Sequence, residues 1–226
     1  MDYILNIHTA TETAIVNLCD GSNLLGTKTN NDSTQHSSFL HTAIHQILQE
    51  VDIQPNELKA IGVTGGPGSY TGIRVGLASA KGLSFALHIP LIIMNTLEVM
   101  ALTIIANIPD KNALYCPMID ARRYEVFTAI YDHELIEVIP TSAMVLTKNT
   151  FEDIIAKNTV YFFGSGAIKF KEMNQTIPHS QFIKEEISSK TLGGYSWKKF
   201  QKELFASVSD SSPFYVKDFY NVQKNK

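Results

Sequence analysis

Residues 65–84 read GGPGSYTGIRVGLASAKGLS, and the organisation of the whole chain can be worked out from this stretch. It follows an apolar run, AIGVT at 60–64, that reads as a short buried strand. Gly65, Gly66, Gly68 and Gly72 can adopt positive φ and bring backbone amides close to an anion, and a helix N-terminus would add its dipole. Ser69 and Thr71 offer hydroxyls for capping or phosphate contact. Together with Pro67, these residues form a candidate nucleotide-proximal turn, with a purely structural turn as the competing reading. The pattern is neither the G-x-x-x-x-G-K-[ST] loop nor the G-x-G-x-x-G dinucleotide turn.

A helix is expected over about 73–87. Ile73, Leu77, Ala80, Leu83 and Leu87 line one side, and Val75, Ala78, Gly82, Phe85 and Ala86 the other. Only Arg74, Lys81 and serines interrupt. A helix that is apolar all round must be covered on both sides. One side can pack on its own sheet, while the small residues opposite permit close approach of a second helix, from this chain or from a partner.

Outward from this core, YILNIH at 3–8 and AIVNL at 14–18 read as strands. Asp20-Gly21 is a turn signal, and Leu24-Leu25 opens a third strand before a polar loop at 27–35. Over 37–51 the period becomes helical, with Leu40, Ile44, Ile47, Leu48 and Val51 on one face and His41 and His45 flanking it. PLIIMN at 90–95 is a further strand, leading into a helix over about 96–106. Pro109 and the polar 110–112 mark a hinge. Residues 1–108 are therefore expected to form one lobe and 109–226 a second, with the final tail a candidate to fold back on the first. In the second lobe, strands are expected at 113–120, 125–132 and 134–139, a short helix at 151–157, a strand at 159–163 and a helix at 197–206. This alternation indicates α/β lobes.

With 44% hydrophobic and 18% charged residues in 226, the chain can bury a sizeable core. Its formal net charge of −3 argues against a free-standing nucleic-acid binder. Cys19 and Cys116 are far apart in apolar runs and read as buried reduced thiols. The N-terminus has no signal-peptide pattern and no apolar run reaches membrane-spanning length, so a cytoplasmic protein without membrane association is expected.

GPGSYTGIRVGLASAKGLS resembles the signature of the TsaB (YeaZ) family. ILNIHTATETAIV is similar to that family's N-terminal strand pair, and Thr34-Gln35-His36, Asn95-Thr96-Leu97, Ile119-Asp120-Ala121-Arg122 with Glu125-Val126, and Pro213-Phe214-Tyr215-Val216 extend the likeness over nearly the whole chain. The resemblance implies an actin/Hsp70-like two-lobed fold, each lobe a mixed sheet with helices. It implies a role in tRNA threonylcarbamoyladenosine (t6A) formation at the adenosine 3′ of the anticodon in tRNAs reading ANN codons. Its implied partners are a related catalytic subunit, TsaD, and a small ATPase, TsaE. Contact with tRNA would be indirect, through that complex, and the chain alone would form a homodimer.

The catalytic relative carries a metal-binding H-x-x-x-H at the helix after the Pro-x-x-x-x-Asn strand. The matching positions here are Thr96 and Met100, which cannot replace histidine ligands. His8 stands where ATPases of this fold class have an aspartate, and an imidazole will not organise Mg²⁺ as a carboxylate does. No catalytic residue, no metal and no intrinsic cofactor is therefore expected, with ATP or ADP a candidate only at the assembled interface. The expected partner surface comprises His41, His45, Leu48, Arg74, Val75, Ala78, Lys81, Gly82 and Phe85. The rivals are a nucleotide-binding regulatory module using 65–72 and 164–166, and a metallopeptidase of the glycoprotease type. His36, His41 and His45 have the spacing of metal ligands but lack the Glu of H-E-x-x-H, and read as structural or interface residues.

Overall fold

The computed structural model of the chain describes residues 1–174 and 178–217. Its first sheet has the order β3-β2-β1-β4-β5. β1 (Tyr3–His8), β2 (Ala14–Asp20) and β3 (Asn23–Asn30) form the antiparallel part, and β4 (Leu58–Gly66) and β5 (Leu91–Asn95) run parallel to β1. The second sheet repeats this plan. β6 (Ala113–Asp120), β7 (Glu125–Tyr131) and β8 (Glu137–Val145) are antiparallel, while β9 (Thr159–Phe163) and β10 (Ser180–Ile183) are parallel to β6. The order is β10-β9-β6-β7-β8, the same wiring as the first sheet.

Alternation along the strands distributes the core. Leu5, Ile7, Val16, Leu18, Ile61 and Val63 meet Leu40, Ile47 and Leu77 from α1 (His36–Val51) and α2 (Tyr70–Leu87) on the outer face. Ile4, Ile15, Ala60, Ile92 and Met94 face the other way, onto α3 (Thr96–Asn107) and α6 (Ser189–Gln201). Tyr115, Tyr131, Tyr161 and Phe163 of the second sheet close the same cluster from the far side. The opposite face of the second sheet is covered through Ile155 of α4 (Glu152–Ile155) and Ala167 and Phe170 of α5 (Ser165–Met173). The layers are thus helices, sheet, shared helices, sheet, helices. Among the described residues no helix is long and apolar enough to cross a membrane.

Several elements differ in extent from the sequence expectation. α2 begins at Tyr70 rather than near 73, because Ser69 caps it, its Oγ accepting from Gly72 N at 3.2 Å. β3 runs on through the segment expected as loop, paired with β2 as far as Ala14↔Asn30. β8 starts later than 134, since Asp132 Oδ1 accepts from Glu134 N and Ile136 N and holds that stretch as a turn. α5 and β10 were not expected at all. α6 ends at Gln201 rather than near 206, and it lies on the first sheet although it follows the second in the chain. Trp197 and Phe200 pack against the core, whereas Phe205 is exposed. Cys19 and Cys116 are free and buried, and burial pushes their thiols up to about 11 and about 12.

Candidate docking face and interlobe cleft

The glycine-rich turn spends its backbone groups inside the protein. Ser69 N donates to Ala10 O at 2.7 Å and Ile73 N to Ser69 O at 2.8 Å. At Gly72 a Cβ would lie 2.0 Å from Thr9 O, and at Gly68, with φ +153°, 2.1 Å from Ala10 O. These glycines let the start of α2 sit directly against the chain leaving β1. Gly65, Gly66 and Pro67 are buried, while Thr71 is exposed. Gly65 and Gly66 border a hollow of about 230 Å³ with Asn95 and Phe214. The resulting role of the turn is to place α2.

Among the described residues, α2 is covered along one side and left open along another. Ile73, Leu77 and Ala80 are buried, but Ala78, Gly82, Phe85 and Ala86 are exposed, Phe85 by 72%. Among the described residues, a Cβ on Gly82 would meet nothing within 4 Å. His41 and His45 of α1 are exposed alongside, with His41 Nε2 3.3 Å from Ser79 Oγ. Val75 is half-buried. Leu48, expected on the same surface, lies in the chain's own core and is 7% exposed.

Arg74 and Lys81 are engaged by the C-terminal tail, which was expected as a candidate to fold back on the first lobe but not as the partner of these two side chains. Residues 206–217 form a strap that leaves α6 and returns along the first lobe. Ala206 N donates to Leu91 O and Phe214 N to Gly65 O, each at 2.8 Å. Lys81 Nζ donates to Ser211 O at 2.8 Å, and Arg74 Nε to Tyr215 OH at 2.7 Å. The serines and aromatics of the strap carry no periodicity, which is why the pattern reads simply as an extended tail.

Between the lobes lies a cleft of about 880 Å³, bordered by Thr11, Glu12 and Thr13 from the β1–β2 turn and by Gly164, Ser165 and Lys169 at the start of α5. None of residues 65–72 lines it, so the candidate nucleotide-proximal turn and the cleft are separate places. Thr13 Oγ1 donates to Glu186, on the connection from β10 to α6 that forms part of the cleft wall. At the β1–β2 turn the cleft thus carries the Glu12 and Glu186 carboxylates, while Lys169, Lys171 and Lys184 border it elsewhere. Asp120 is tied by Lys169 at 2.5 Å, its N donating to Ser165 Oγ at 3.1 Å.

His8 does not face this cleft. It is fully buried, Nδ1 2.9 Å from Thr64 Oγ1 and Nε2 2.7 Å from Thr11 Oγ1. Burial, helped by the nearby His36, lowers its pKa to about 3, so the imidazole is neutral. His36 is also buried, Nε2 3.1 Å from Thr11 O. It stands apart from exposed His41 and His45, so the three do not form one cluster. Thr96 and Met100 are buried, Met100 bordering the cleft, and the residue types there do not fit a metal. Among the described residues no group of three His, Cys, Asp or Glu side chains is placed to hold a metal ion.

Two equally wired sheets with shared helices and a cleft between them define a two-lobed protein of the actin/Hsp70-like class. The family model described as tRNA N6-adenosine threonylcarbamoyltransferase, TsaD, matches residues 24–188. The tRNA threonylcarbamoyladenosine biosynthesis protein TsaB of Bacillus subtilis is 34% identical over 145 residues, covering 63% of this chain and 62% of that protein; the match thus spans somewhat under two thirds of the relative. A Pseudomonas aeruginosa protein described as similar to the peptidase YeaZ superposes with a TM-score of 0.81 at 19% identity, covering 96% of this chain and 100% of that one. The ADPNP-bound activator of 2-hydroxyisocaproyl-CoA dehydratase from Clostridium difficile shares the fold at a TM-score of 0.51 and 9% identity, covering 89% and 97%. The chain belongs to the family whose model is described as tRNA N6-adenosine threonylcarbamoyltransferase, TsaD, and within it is similar to the TsaB and YeaZ proteins.

Proposed function

We propose that this chain is a non-catalytic subunit required for t6A formation, acting by binding and supporting a TsaD-like catalytic subunit. The observation that carries this reading is the uncovered face of α2. Ala78, Gly82, Phe85 and Ala86 are small or apolar, exposed and in line, and among the described residues Gly82 has no neighbour that would demand a glycine. A glycine retained in an open helix face lowers helix stability, which a close helix–helix contact across that face would offset. His41 and His45 extend the surface, and Arg74, Val75 and Lys81 border it. Leu48 supports it from beneath.

Residue chemistry supports the absence of catalysis. Thr96 and Met100 cannot supply the imidazoles of a transferase metal site, which also disfavours the metallopeptidase reading. A TsaE-like ATPase would join the complex, ATP or ADP would bind at the assembled interface, and tRNA would be held chiefly by the catalytic partner, in the cytoplasm. The nucleotide-binding alternative is favoured by the cleft's volume and opposed by the Thr13–Glu186 link within it.

Reconstitution of t6A formation with TsaD-like and TsaE-like partners tests this reading. Product is expected only when the chain is present, and Gly82→Arg should abolish both pairing and product without lowering the unfolding midpoint. Full modification without the chain, or unaltered pairing by the variant, would overturn it.

A further inference from the structure

We propose that the edge running from the first turn of α2, through the strap, to the β6–β7 turn binds a single-stranded segment of RNA. The proposal rests on the reading above, that the chain works beside a tRNA-modifying subunit, and adds a direct contact with the nucleic acid. At the β6–β7 turn stand Arg122, Arg123 and Tyr124. Arg122 has φ 72° and Arg123 φ 52°, the left-handed region that hairpin turns normally fill with glycine, asparagine or aspartate. Two arginines in those positions work against local preference, so their presence calls for a use of the side chains.

The backbone beneath them is pinned. Asp120 Oδ1 accepts from Arg122 N at 2.6 Å, Lys169 Nζ donates to Arg123 O at 2.6 Å, and Leu146 N donates to Tyr124 O at 2.7 Å. Both guanidinium groups are exposed, and among the described residues neither forms an ion pair. Tyr124 is 67% exposed beside them. This rigid tip carries two cations and an aromatic face outward.

The strap links that tip to α2. Lys217 Nζ meets Glu125 Oε2 at 2.5 Å at the base of the hairpin. Nearer α2, Arg74 lies 4.0 Å from the centroid of the Tyr70 ring and donates to Tyr215 OH, the two rings being 5.5 Å apart. Arg74, Lys217, Lys169, Arg122 and Arg123 thus follow one edge, interleaved with Tyr70, Tyr215 and Tyr124, on a chain whose net charge is −3. Lys217 and Lys169 are paired with Glu125 and Asp120 and Tyr215 is half-buried, so the exposed contacts are Arg122, Arg123 and Tyr124 at the tip and Tyr70 beside Arg74 at the other end. Cations beside aromatic faces suit an unpaired strand, whose phosphates meet the cations while its unstacked bases find a ring. An acidic protein segment would use the cations but not the tyrosines. The edge begins at the N-terminal turn of the proposed docking face, so RNA held by a partner seated there would continue along it.

The test is binding of a fluorescein-labelled twelve-nucleotide oligouridylate to the full-length chain, followed by anisotropy from low to physiological salt. Arg122→Asn with Arg123→Gly is the informative variant, because both replacements suit positive φ and should hold or raise the unfolding temperature. Loss of two phosphate contacts should weaken binding about 10-fold at low salt and flatten the log–log salt slope by about 1.4. Tyr124→Ala should weaken binding without changing that slope. Equal affinity and slope in wild type and the double variant would overturn the proposal, as would a double variant that loses partner capture but keeps RNA affinity. Gly82→Arg, run in parallel, should bind the oligonucleotide normally; its failure to block pairing would count against the docking face and leave the RNA edge standing.

Discussion

Gly72 and Gly82 lie on the same helix and use the missing side chain in opposite ways. Gly72→Ala would drive a methyl group onto Thr9 O, 2.0 Å from its Cβ, and is expected to destabilise the fold by about 2–3 kcal/mol. Gly82→Ala enters open space on an exposed helix and should stabilise by about 0.5–1 kcal/mol. Urea unfolding midpoints of the two variants check the pair. In the sequence both are simply glycines beside small residues; only Thr9, distant along the chain, tells them apart. His8 offers a second test. Its pKa falls from 6.5 to about 3 on burial, so between those values the unfolded chain binds the proton and the folded chain does not. Stability is therefore full above pH 6.5 and is lost as pH falls below it, by up to about 1.4 kcal/mol per pH unit from this residue. His8→Gln should flatten that acid limb in urea titrations between pH 7.5 and 5. The histidine was legible as a departure from an aspartate position. Its neutrality was not, because that depends on the enclosing Thr64 and Thr11.

At the scale of elements, the strongly patterned segments were readable. β1, β6 and β9 fall where the apolar runs put them, and α1 and α3 follow the helical period closely. The misreadings have physical causes. α5 was hidden by Gly164-Ser165-Gly166, which reads as a turn. Gly166 is needed instead because a Cβ there would lie 2.7 Å from Val126 Cγ1. α6 was placed too late because Gly193-Gly194 weakens its helical signal, yet Gly193 is where Cys19 Sγ approaches closely, 2.3 Å from a built Cβ. The strap is the least legible element, being held by isolated hydrogen bonds rather than a regular ladder. Phe214→Pro removes the donor to Gly65 O and should cost about 1 kcal/mol. Hydrogen exchange should then show faster exchange across 206–217, with the amides of β4 and β5 unchanged.

For the whole molecule, the proposed docking face predicts self-association when no catalytic partner is present. An exposed Phe85 between small residues on a helix is a surface that a second copy can cover. Sedimentation of the chain alone should show a dimer that dissociates on dilution, and Phe85→Glu should be monomeric at the same concentration with an unchanged unfolding midpoint. A monomeric wild type at high concentration would limit the face to pairing with a different chain. The cysteines, the lobed α/β plan, the family and the absence of histidine ligands at positions 96 and 100 were all determined by the sequence itself, because residue identity and hydrophobic period are local properties of the chain. The stretch at 65–84 likewise announced a turn and a helix apolar on both sides. Tertiary structure alone decided that the turn does not line the cleft, that Leu48 is core, and that the strap ties Arg74 toward the β6–β7 hairpin. Each of these depends on which distant segments share a neighbourhood, and that is set when the two sheets close on their common helices.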